Sequence, residues 1–218
     1  MTTRDRLGRL ADTVVPWGDP ALCPLLGAHI RQAGGTRLLV GPRAACDALW
    51  VGLGRPTTRR HHEQRLYVAD QTPDGPCISV TRATASDIDT LTEMQAGMLE
   101  DDLGIPRGDL DLDILRRRVR DKVVAGASWV VRGDGGVSFV VSVGFRSPGG
   151  AQLGGTYVWP QDRGRGLATR AMRGVVRALL RDGMPRVTLH VHEANTPAVR
   201  CYVSAGFRPH APFRLMVL

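Results

Sequence analysis

The sequence has little of what metal centres, disulfide frameworks and membrane anchors require. Its four cysteines show no C-x-x-C spacing and no paired layout, so neither a zinc site nor a disulfide framework is predicted. No apolar run approaches the length that spans a bilayer, and the N-terminal residues lack the apolar centre of a signal peptide. We therefore expect a soluble, cytoplasmic protein without a metal ion.

The commonest phosphate-binding fingerprints are also missing. The dinucleotide pattern G-x-G-x-x-G does not occur, and no P-loop is present because the only lysine, Lys122, lies far from the glycine-rich turns. The net charge of +8 comes almost entirely from arginine, a bias that a GC-rich genome produces without selection for function. The charge is therefore weak evidence for nucleic-acid binding, although it favours polyanionic ligands in general.

Length and patterning favour two unequal parts. At 218 residues, 43% of them hydrophobic, the chain suits one large domain or one full domain plus a smaller one. Residues 1–76 form a small α/β unit in this interpretation, with a helix predicted over residues 5–15 and a turn-rich linker at 71–76. From residue 77 the pattern predicts the order β-α-α-β-β-β-α-β-α-β-β, beginning with a strand over 77–82. The predicted fold class is α/β with a mixed sheet.

The most informative stretch is the turn at residues 161–166, Q-D-R-G-R-G, which we call the Gly164 turn. A β-type run ends just before it at Trp159, and a helical period of apolar residues begins just after it at Ala168. A helix N-terminus offers free backbone N–H groups and the positive end of the helix dipole, both of which bind anions. Gly164 and Gly166 remove side chains where a diphosphate would touch the backbone, and the two arginines add positive charge.

Two motifs carry a family resemblance. The pattern Q-x-x-G-x-G, preceded by V-x-P and followed by an amphipathic helix, resembles the acetyl-CoA-binding motif of the GCN5-related N-acetyltransferase (GNAT) superfamily. Residues 189–207 resemble the family signature L-x-V-x-x-x-N-x-x-A-x-x-x-Y-x-x-x-G-F, with Asn195 and Tyr202 at its polar positions. The resemblance covers residues 77–218 and implies a GNAT acyl-CoA N-acyltransferase fold there, preceded by a small α/β N-terminal domain. Residues 1–76 further resemble the extra N-terminal part of actinobacterial members, a degenerate half of the same fold.

The resemblance implies a site for acetyl-CoA or another acyl-CoA. Gln161 occupies the first position of the motif, and the backbone near Tyr157 and Val158 would pair with the pantetheine arm like an added strand. A splay between the strands that end at Val158 and Val191 would admit the thioester. Asn195 lies close to the coenzyme in relatives, and its alternative role is to cap the helix that follows. The diphosphate would be bound by the N–H groups of Arg163, Gly164, Arg165, Gly166, Leu167 and Ala168.

Tyr202 stands where the family places its general acid. A phenol remains protonated at neutral pH and can donate its proton to a departing thiolate. The alternative is a buried tyrosine with a purely structural role. The resemblance also implies that the Val158 amide donates to the carbonyl oxygen of the thioester, as an oxyanion-hole donor does.

The general base is the least determined role. Many relatives carry a glutamate on the fourth core strand, but residues 152–158 contain no carboxylate. On the next strand His190 occupies a position where some relatives carry their glutamate, and an imidazole titrates near neutrality. His192, Glu193 and the absence of any dedicated base remain as alternatives.

These residues predict an N-acyltransferase that moves an acetyl or other acyl group from acyl-CoA to an amine of a small molecule or peptide by direct transfer. The enzyme would act as a monomer or homodimer. The acidic residues Glu100, Asp101 and Asp102 are candidates for attracting the amine, or they form a solvated helix end. The acceptor itself cannot be identified from the sequence.

Two other functions are compatible with the same motifs. The first is an aminoacyl-tRNA-dependent, amide-forming transferase of the natural-product or peptidoglycan type, with tRNA as the donor. Its phosphates would then contact a stripe of arginines at helical spacing, which is otherwise the outer side of an amphipathic helix. The stripe consists of Arg170, Arg173, Arg177 and Arg181.

The second alternative is a catalytically silent module that senses acyl-CoA.

Overall fold

The computed structural model describes residues 8–10, 13–133 and 135–218 and divides them into two compact units. The first unit takes the residues through Leu66 together with His190–Thr196 and Pro209–Leu218, and the second takes Tyr67–Leu189 and Pro197–Arg208. Parallel and antiparallel strand pairs occur together, so the predicted α/β fold with a mixed sheet is confirmed. The predicted domain boundary between residues 76 and 77 stays a prediction.

The first unit combines two helices with part of the mixed sheet. Its strands follow the order β1-β2-β3-β10-β4-β9, in which β2 and β3 are parallel while β1–β2 and β3–β10 are antiparallel. Leu39, Leu49 and Met216 lie fully buried in its core. The elements are β1 (Gly8–Leu10), β2 (Thr13–Val15), α1 (Cys23–Ala33), β3 (Leu38–Pro42), α2 (Arg43–Gly52), the start of β4 (Arg60–Ala69), the end of β9 (Val187–His192) and most of β10 (Arg208–Val217).

The helix predicted over residues 5–15 is wrong where the structure describes that stretch. β1 and β2 pair antiparallel there, with Gly8 opposite Val15. β2 then pairs with β3, and this places Val14 in the core beside Leu39. Pairing with a distant strand outweighs the weak helical spacing of the local sequence. Residues 5–7, 11 and 12 lie outside the described residues.

The second unit contains the predicted turn and the helix that follows it. Its strands follow the order β9-β8-β7-β6-β5, in which only β8 and β9 are parallel. None of the helices in the described ranges is long and apolar enough to cross a membrane. The elements are β5 (Thr81–Arg82), α3 (Ile88–Leu103), α4 (Leu112–Val124), β6 (Ser128–Gly133), β7 (Gly136–Ser147), β8 (Gly150–Val158), α5 (Leu167–Arg181), the start of β9 and nearly all of α6 (Thr196–Ser204).

Helices α3 and α4 pack on the central strands of this unit through one hydrophobic cluster. Met94 of α3, Val119 of α4, Val130 of β6 and Val140 of β7 all belong to it. Asp111 caps the start of α4, because its side chain accepts a hydrogen bond from the Ile114 N–H group at 2.9 Å. The two helices therefore cover the face of the sheet where β8 approaches its end.

A β-bulge interrupts β8 shortly before that end. Val140 pairs with Tyr157, whereas Ser142 pairs with Gly154, so β8 carries one more residue than β7 between these pairs. Gly155 takes a φ of 65° within the bulge, a conformation that glycine adopts without steric cost. The bulge changes the course of β8 just before its last residues, Tyr157 and Val158, which still pair with β7.

Two predicted elements differ from the structure. The strand predicted over residues 77–82 is confined to Thr81–Arg82, because the residues before it run along α5, where the Ile78 N–H group donates to the Arg170 carbonyl at 3.1 Å. The last two predicted strands form a single strand, Arg208–Val217. In the first unit its second half, from Phe213 onward, pairs with β3.

Residues 73–78, which we call the α5 strap, lie directly against α5. Arg177 donates to the carbonyl oxygens of Pro73 and Gly75, each at 2.8 Å. Gly174 permits the close approach, because a Cβ atom there would overlap the Ile78 carbonyl oxygen. The helix that follows the Gly164 turn is therefore fixed by backbone contacts as well as by its apolar face.

Replacing Gly174 with alanine should destabilise the protein even though alanine favours helices. The added methyl group forces the α5 strap away from the helix, at a cost of about 1–3 kcal/mol that exceeds the gain in helix propensity. Urea unfolding followed by circular dichroism measures the free energy of unfolding. Gly108→Ala is the control, because a Cβ atom there meets nothing within 4 Å. Equal stability of the two variants would contradict the prediction.

Candidate active site

A short connection leads from the end of β8 to the start of α5. One 3-10 turn at Pro160–Asp162 follows the strand, and Gly164 and Gly166 come next, with φ angles of 76° and 69°. Side chains of L-residues rarely allow this left-handed conformation, so both positions require glycine. Helix α5 then begins at Leu167, one residue before the start of the helical period at Ala168.

The start of α5 presents a row of backbone donors. In the part of the chain that the structure describes, no group accepts a hydrogen bond from the six consecutive N–H groups between Gly164 and Thr169. Arg170 closes the first helical bond to the Gly166 carbonyl at 3.1 Å, and its Nη1 atom donates to the Arg165 carbonyl at 3.1 Å. A Cβ atom at Gly164 would meet nothing within 4 Å, so there is open space beside this residue. This arrangement fits a diphosphate.

The side chain of Arg163 turns back to the end of β8. Its Nε atom donates to the Val158 carbonyl at 3.0 Å, and its Nη2 atom donates to Asp101 of α3 at 2.7 Å. The guanidinium also lies 5.1 Å from the centre of the Tyr157 ring. Arg163 therefore joins the Gly164 turn to β8 and α3, while Gln161 and Arg165 are exposed.

Tyr157 and Val158 are both buried at the end of β8. The Tyr157 hydroxyl lies so close to Gly97 of α3 that a Cβ atom at Gly97 would overlap it. Burial raises the pKa of Tyr157, so its phenol is protonated at neutral pH. These contacts fix the strand end at which the pantetheine arm is predicted to bind.

Tyr202 lies on α6 and is buried as well, with 9% of its surface exposed. Its hydroxyl forms a hydrogen bond with the side chain of Thr156, two residues before Val158. Burial raises the pKa of Tyr202 to about 12. Within the second unit, Tyr202, the predicted general acid, therefore lies beside the end of β8. Its phenol is protonated, and the hydrogen bond with Thr156 fixes its orientation.

His190 and Asn195 belong to the first unit, as the grouping of the chain places His190–Thr196 there. The His190 ring stacks on Phe213, with 4.3 Å between the ring centres. Burial lowers the pKa of His190 to about 4, so the imidazole is neutral at pH 7 and is a weak base. Its role and the predicted splay between Val158 and Val191 stay predictions.

The alternative bases have other contacts within the first unit. Glu193 accepts hydrogen bonds from Arg65 at 2.8 Å and from Arg43 at 3.4 Å, so both of its carboxylate oxygens are engaged. His192 packs edge-on against His62, with 4.6 Å between the ring centres. Through the two arginines, Glu193 connects the residues after β9 to β4 and α2.

The arginine stripe of α5 is largely committed to the chain itself. Arg173 donates to the carbonyl of Ser204 at 2.6 Å and to that of Pro76 at 3.1 Å. Arg170 and Arg177 likewise donate to backbone carbonyls, in the Gly164 turn and in the α5 strap. Three of the four arginines therefore hold α5 in place.

Sequence reasoning missed two contacts and one β-bulge that shape the site. The bond from Thr156 to Tyr202 and the pair of Arg163 with Asp101 join residues that are 46 and 62 positions apart, and no local pattern indicates them. The bulge at Gly155 could have been inferred, because two adjacent glycines inside a strand are typical of a bulge.

The comparison with protein families decides the assignment. The profile of the acetyltransferase (GNAT) family matches residues 95–207, a little over half of the chain. The chain belongs to this family. The match includes the end of β8, the Gly164 turn, α5 and Tyr202. None of the curated proteins compared with the chain matches it significantly.

Several solved structures share the fold of this GNAT protein. An acetyltransferase of the GNAT family from Colwellia psychrerythraea has a TM-score of 0.65 at 13% identity, over 95% of this chain and 78% of its own. A GCN5-related N-acetyltransferase from Sphaerobacter thermophilus has a TM-score of 0.62 at 19% identity, over 94% of this chain and 71% of its own. A tandem GNAT protein from the clavulanic acid biosynthesis pathway has a TM-score of 0.60 at 16% identity, over 96% of this chain and 75% of its own. Identities this low establish the fold alone.

The buried imidazole of His190 predicts a loss of stability in acid. Its pKa is about 4 in the folded protein and about 6.5 when unfolded. The unfolded state therefore binds more protons, and stability is lost as the pH falls from 6.5 to 4, by about 3 kcal/mol in total. Urea unfolding across this range should show a shallower pH dependence for His190→Gln. His210→Gln, at an exposed position, is the control. If the free energy of unfolding of His190→Gln depended on pH as steeply as that of the unmodified protein, the lowered pKa of His190 would be refuted.

Proposed function

We propose that this GNAT protein is an N-acyltransferase that moves an acetyl or other acyl group from acyl-CoA to an amine of a small molecule or peptide. The observation that carries the proposal is the row of free N–H groups between Gly164 and Thr169 at the start of α5. A coenzyme A diphosphate would satisfy these donors and neutralise the positive end of the helix dipole.

The pantetheine arm would extend from the diphosphate along the end of β8. Its amides would pair with the backbone of Tyr157 and Val158, as an added strand does. Arg163 already occupies the Val158 carbonyl, so this side chain either shares that oxygen with the arm or moves when the arm binds. The bulge at Gly155 and the packing of Tyr157 on Gly97 preorganise the strand end for this contact.

Acyl-CoA supplies an activated thioester, and the protein binds it, orients it and moves protons. The Val158 N–H group is the proposed donor to the thioester oxygen. A neutral amine attacks the carbonyl carbon, the C–N bond forms as the C–S bond breaks, and Tyr202 donates to the departing sulfur. The amine proton leaves through His190 or through water. No covalent intermediate on the enzyme is required.

A carboxylate placed in the Gly164 turn should abolish donor binding. Gly164→Glu adds a negative charge where the diphosphate is proposed to lie, and we expect the Kd for acetyl-CoA, measured by calorimetry, to rise about a hundredfold or more. Gly183→Glu is a matched control at the other end of α5, because Gly183 also has a positive φ and open space around its Cβ position. Equal weakening by both substitutions would disprove the proposed site.

Removing the phenol should slow the chemical step. Tyr202→Phe deletes the proposed acid, and kcat should fall about a hundredfold while the KM for acetyl-CoA changes little. Thr156→Val removes the same hydrogen bond but keeps the phenol, so it separates acid catalysis from packing. Release of the free thiol measures both constants. If Tyr202→Phe and Thr156→Val had the same small effect, the tyrosine would be structural.

The contacts of α5 do not favour the tRNA-dependent alternative. A phosphate-contacting face needs free guanidinium groups, whereas Arg170, Arg173 and Arg177 donate to backbone carbonyls of this chain. The silent acyl-CoA sensor shares the donor site and differs only in turnover. Acetyl-CoA binding without any release of thiol in the presence of amines would identify it.

A further inference from the structure

A narrow pocket in the second unit combines apolar walls with hydrogen-bond donors. Side chains of α3, α4 and β7 supply the walls, and none of its described lining residues is acidic. This composition differs from that of a plain packing defect, which would have apolar walls alone. The lining positions that bear on ligand chemistry are Gln95, Lys122, Ser128, Ser142, Gly155 and Tyr157.

Lys122 gives the pocket a positive charge without a counter-charge. It is the only lysine of the chain, it lies half-buried on α4, and none of the described carboxylates forms an ion pair with it. Burial, followed by the nearby charge of Arg118, lowers the pKa of Lys122. An ammonium group in such surroundings is stabilised most by an anionic partner that shares the pocket.

The remaining polar groups extend the donor set. Ser128 and Ser142 lie buried on adjacent strands, with 3.3 Å between their Oγ atoms. The Gln95 amide makes only a long contact of 3.8 Å with the Met98 sulfur among its described contacts. One hydroxyl of the serine pair donates to the other, which leaves one hydroxyl proton for a ligand. Together with the Gln95 amide and the Lys122 ammonium, it can donate to both oxygens of a carboxylate, which only accepts hydrogen bonds.

The pocket lies beside the proposed reaction centre. Gly155 and Tyr157 form part of its wall, and both belong to the last residues of strand β8 before Val158. The pocket is too small for a whole drug-sized molecule, so it suits one functional group of a ligand whose remainder lies outside. A group held there would place the rest of its molecule near the end of β8.

We propose that this pocket binds the carboxylate of the acceptor, and that the acceptor is therefore an amine that also carries a carboxylate, such as an amino acid. The inference rests on the proposed N-acyltransferase function and specifies its substrate class. Lys122 supplies the charge, Ser128 and Ser142 supply hydrogen bonds, and the amine of the same molecule extends toward the end of β8.

The single lysine makes the test direct. Protein labelled with lysine carrying ¹³C at Cε gives one side-chain signal, that of Lys122. The probes are glycine, 4-aminobutanoate and 6-aminohexanoate, each compared with its primary amide, in the presence of acetyl-CoA. We expect at least one acid to shift the signal saturably, with an affinity at least about tenfold above that of its amide. If no acid shifts the signal, or acid and amide act alike, the pocket holds only solvent and the proposal is overturned.

Turnover provides a second readout. For each protein we take the kcat/KM of the acid divided by that of its amide. Dividing this ratio in the unmodified protein by the ratio in Lys122→Met gives a quotient in which differences in amine basicity cancel. We expect the quotient to be about ten or more. Arg117→Met removes an equal charge from an exposed position of α4 and should leave this quotient near one. A quotient near one for Lys122→Met would also refute the proposal. Failure of acetyl-CoA to bind would instead refute the proposed function, and calorimetry distinguishes the two cases.

Discussion

The free N–H groups at the start of α5 are the feature on which the proposed function depends. A helix leaves its first donors unsatisfied, and here the left-handed conformations of Gly164 and Gly166 add further donors to the row. Arg170 ties the Arg165 carbonyl to the helix, which keeps that oxygen engaged. The α5 strap and Arg177 hold the helix from the other side. Rigid donors lose little entropy when an anion binds.

The local parts of this arrangement could be predicted from the sequence, because local physics determines them. Glycines at alternate positions before an amphipathic period indicate a turn at a helix start, and the structure has α5 beginning at Leu167. The path of residues 77–80 could not be predicted, since it depends on Gly174 and on arginines about a hundred positions away. The strand at Thr13–Val15 likewise exists because β3 is available to pair with it.

The site was predictable to the extent that its motifs fix positions in the fold. Tyr202 lies on α6 as the family signature implies, but its bond with Thr156 and its burial are consequences of packing. Arg163 was expected to contribute charge to the Gly164 turn, whereas its side chain is bound to Val158 and Asp101. Sequence spacing states where a residue lies on the backbone, while the partner of a long side chain is a tertiary property.

The central claim is that the start of α5 binds the diphosphate of an acyl-CoA, and backbone amide NMR tests it most directly. A titration of ¹⁵N-labelled protein with coenzyme A should move the amide signals of Gly164, Gly166, Leu167 and Ala168 strongly downfield and saturably, because these N–H groups gain charged acceptors. Amides at the other end of α5, such as that of Gly183, should change little. Saturable binding that leaves the amide signals of Gly164 and Gly166 in place would contradict the account.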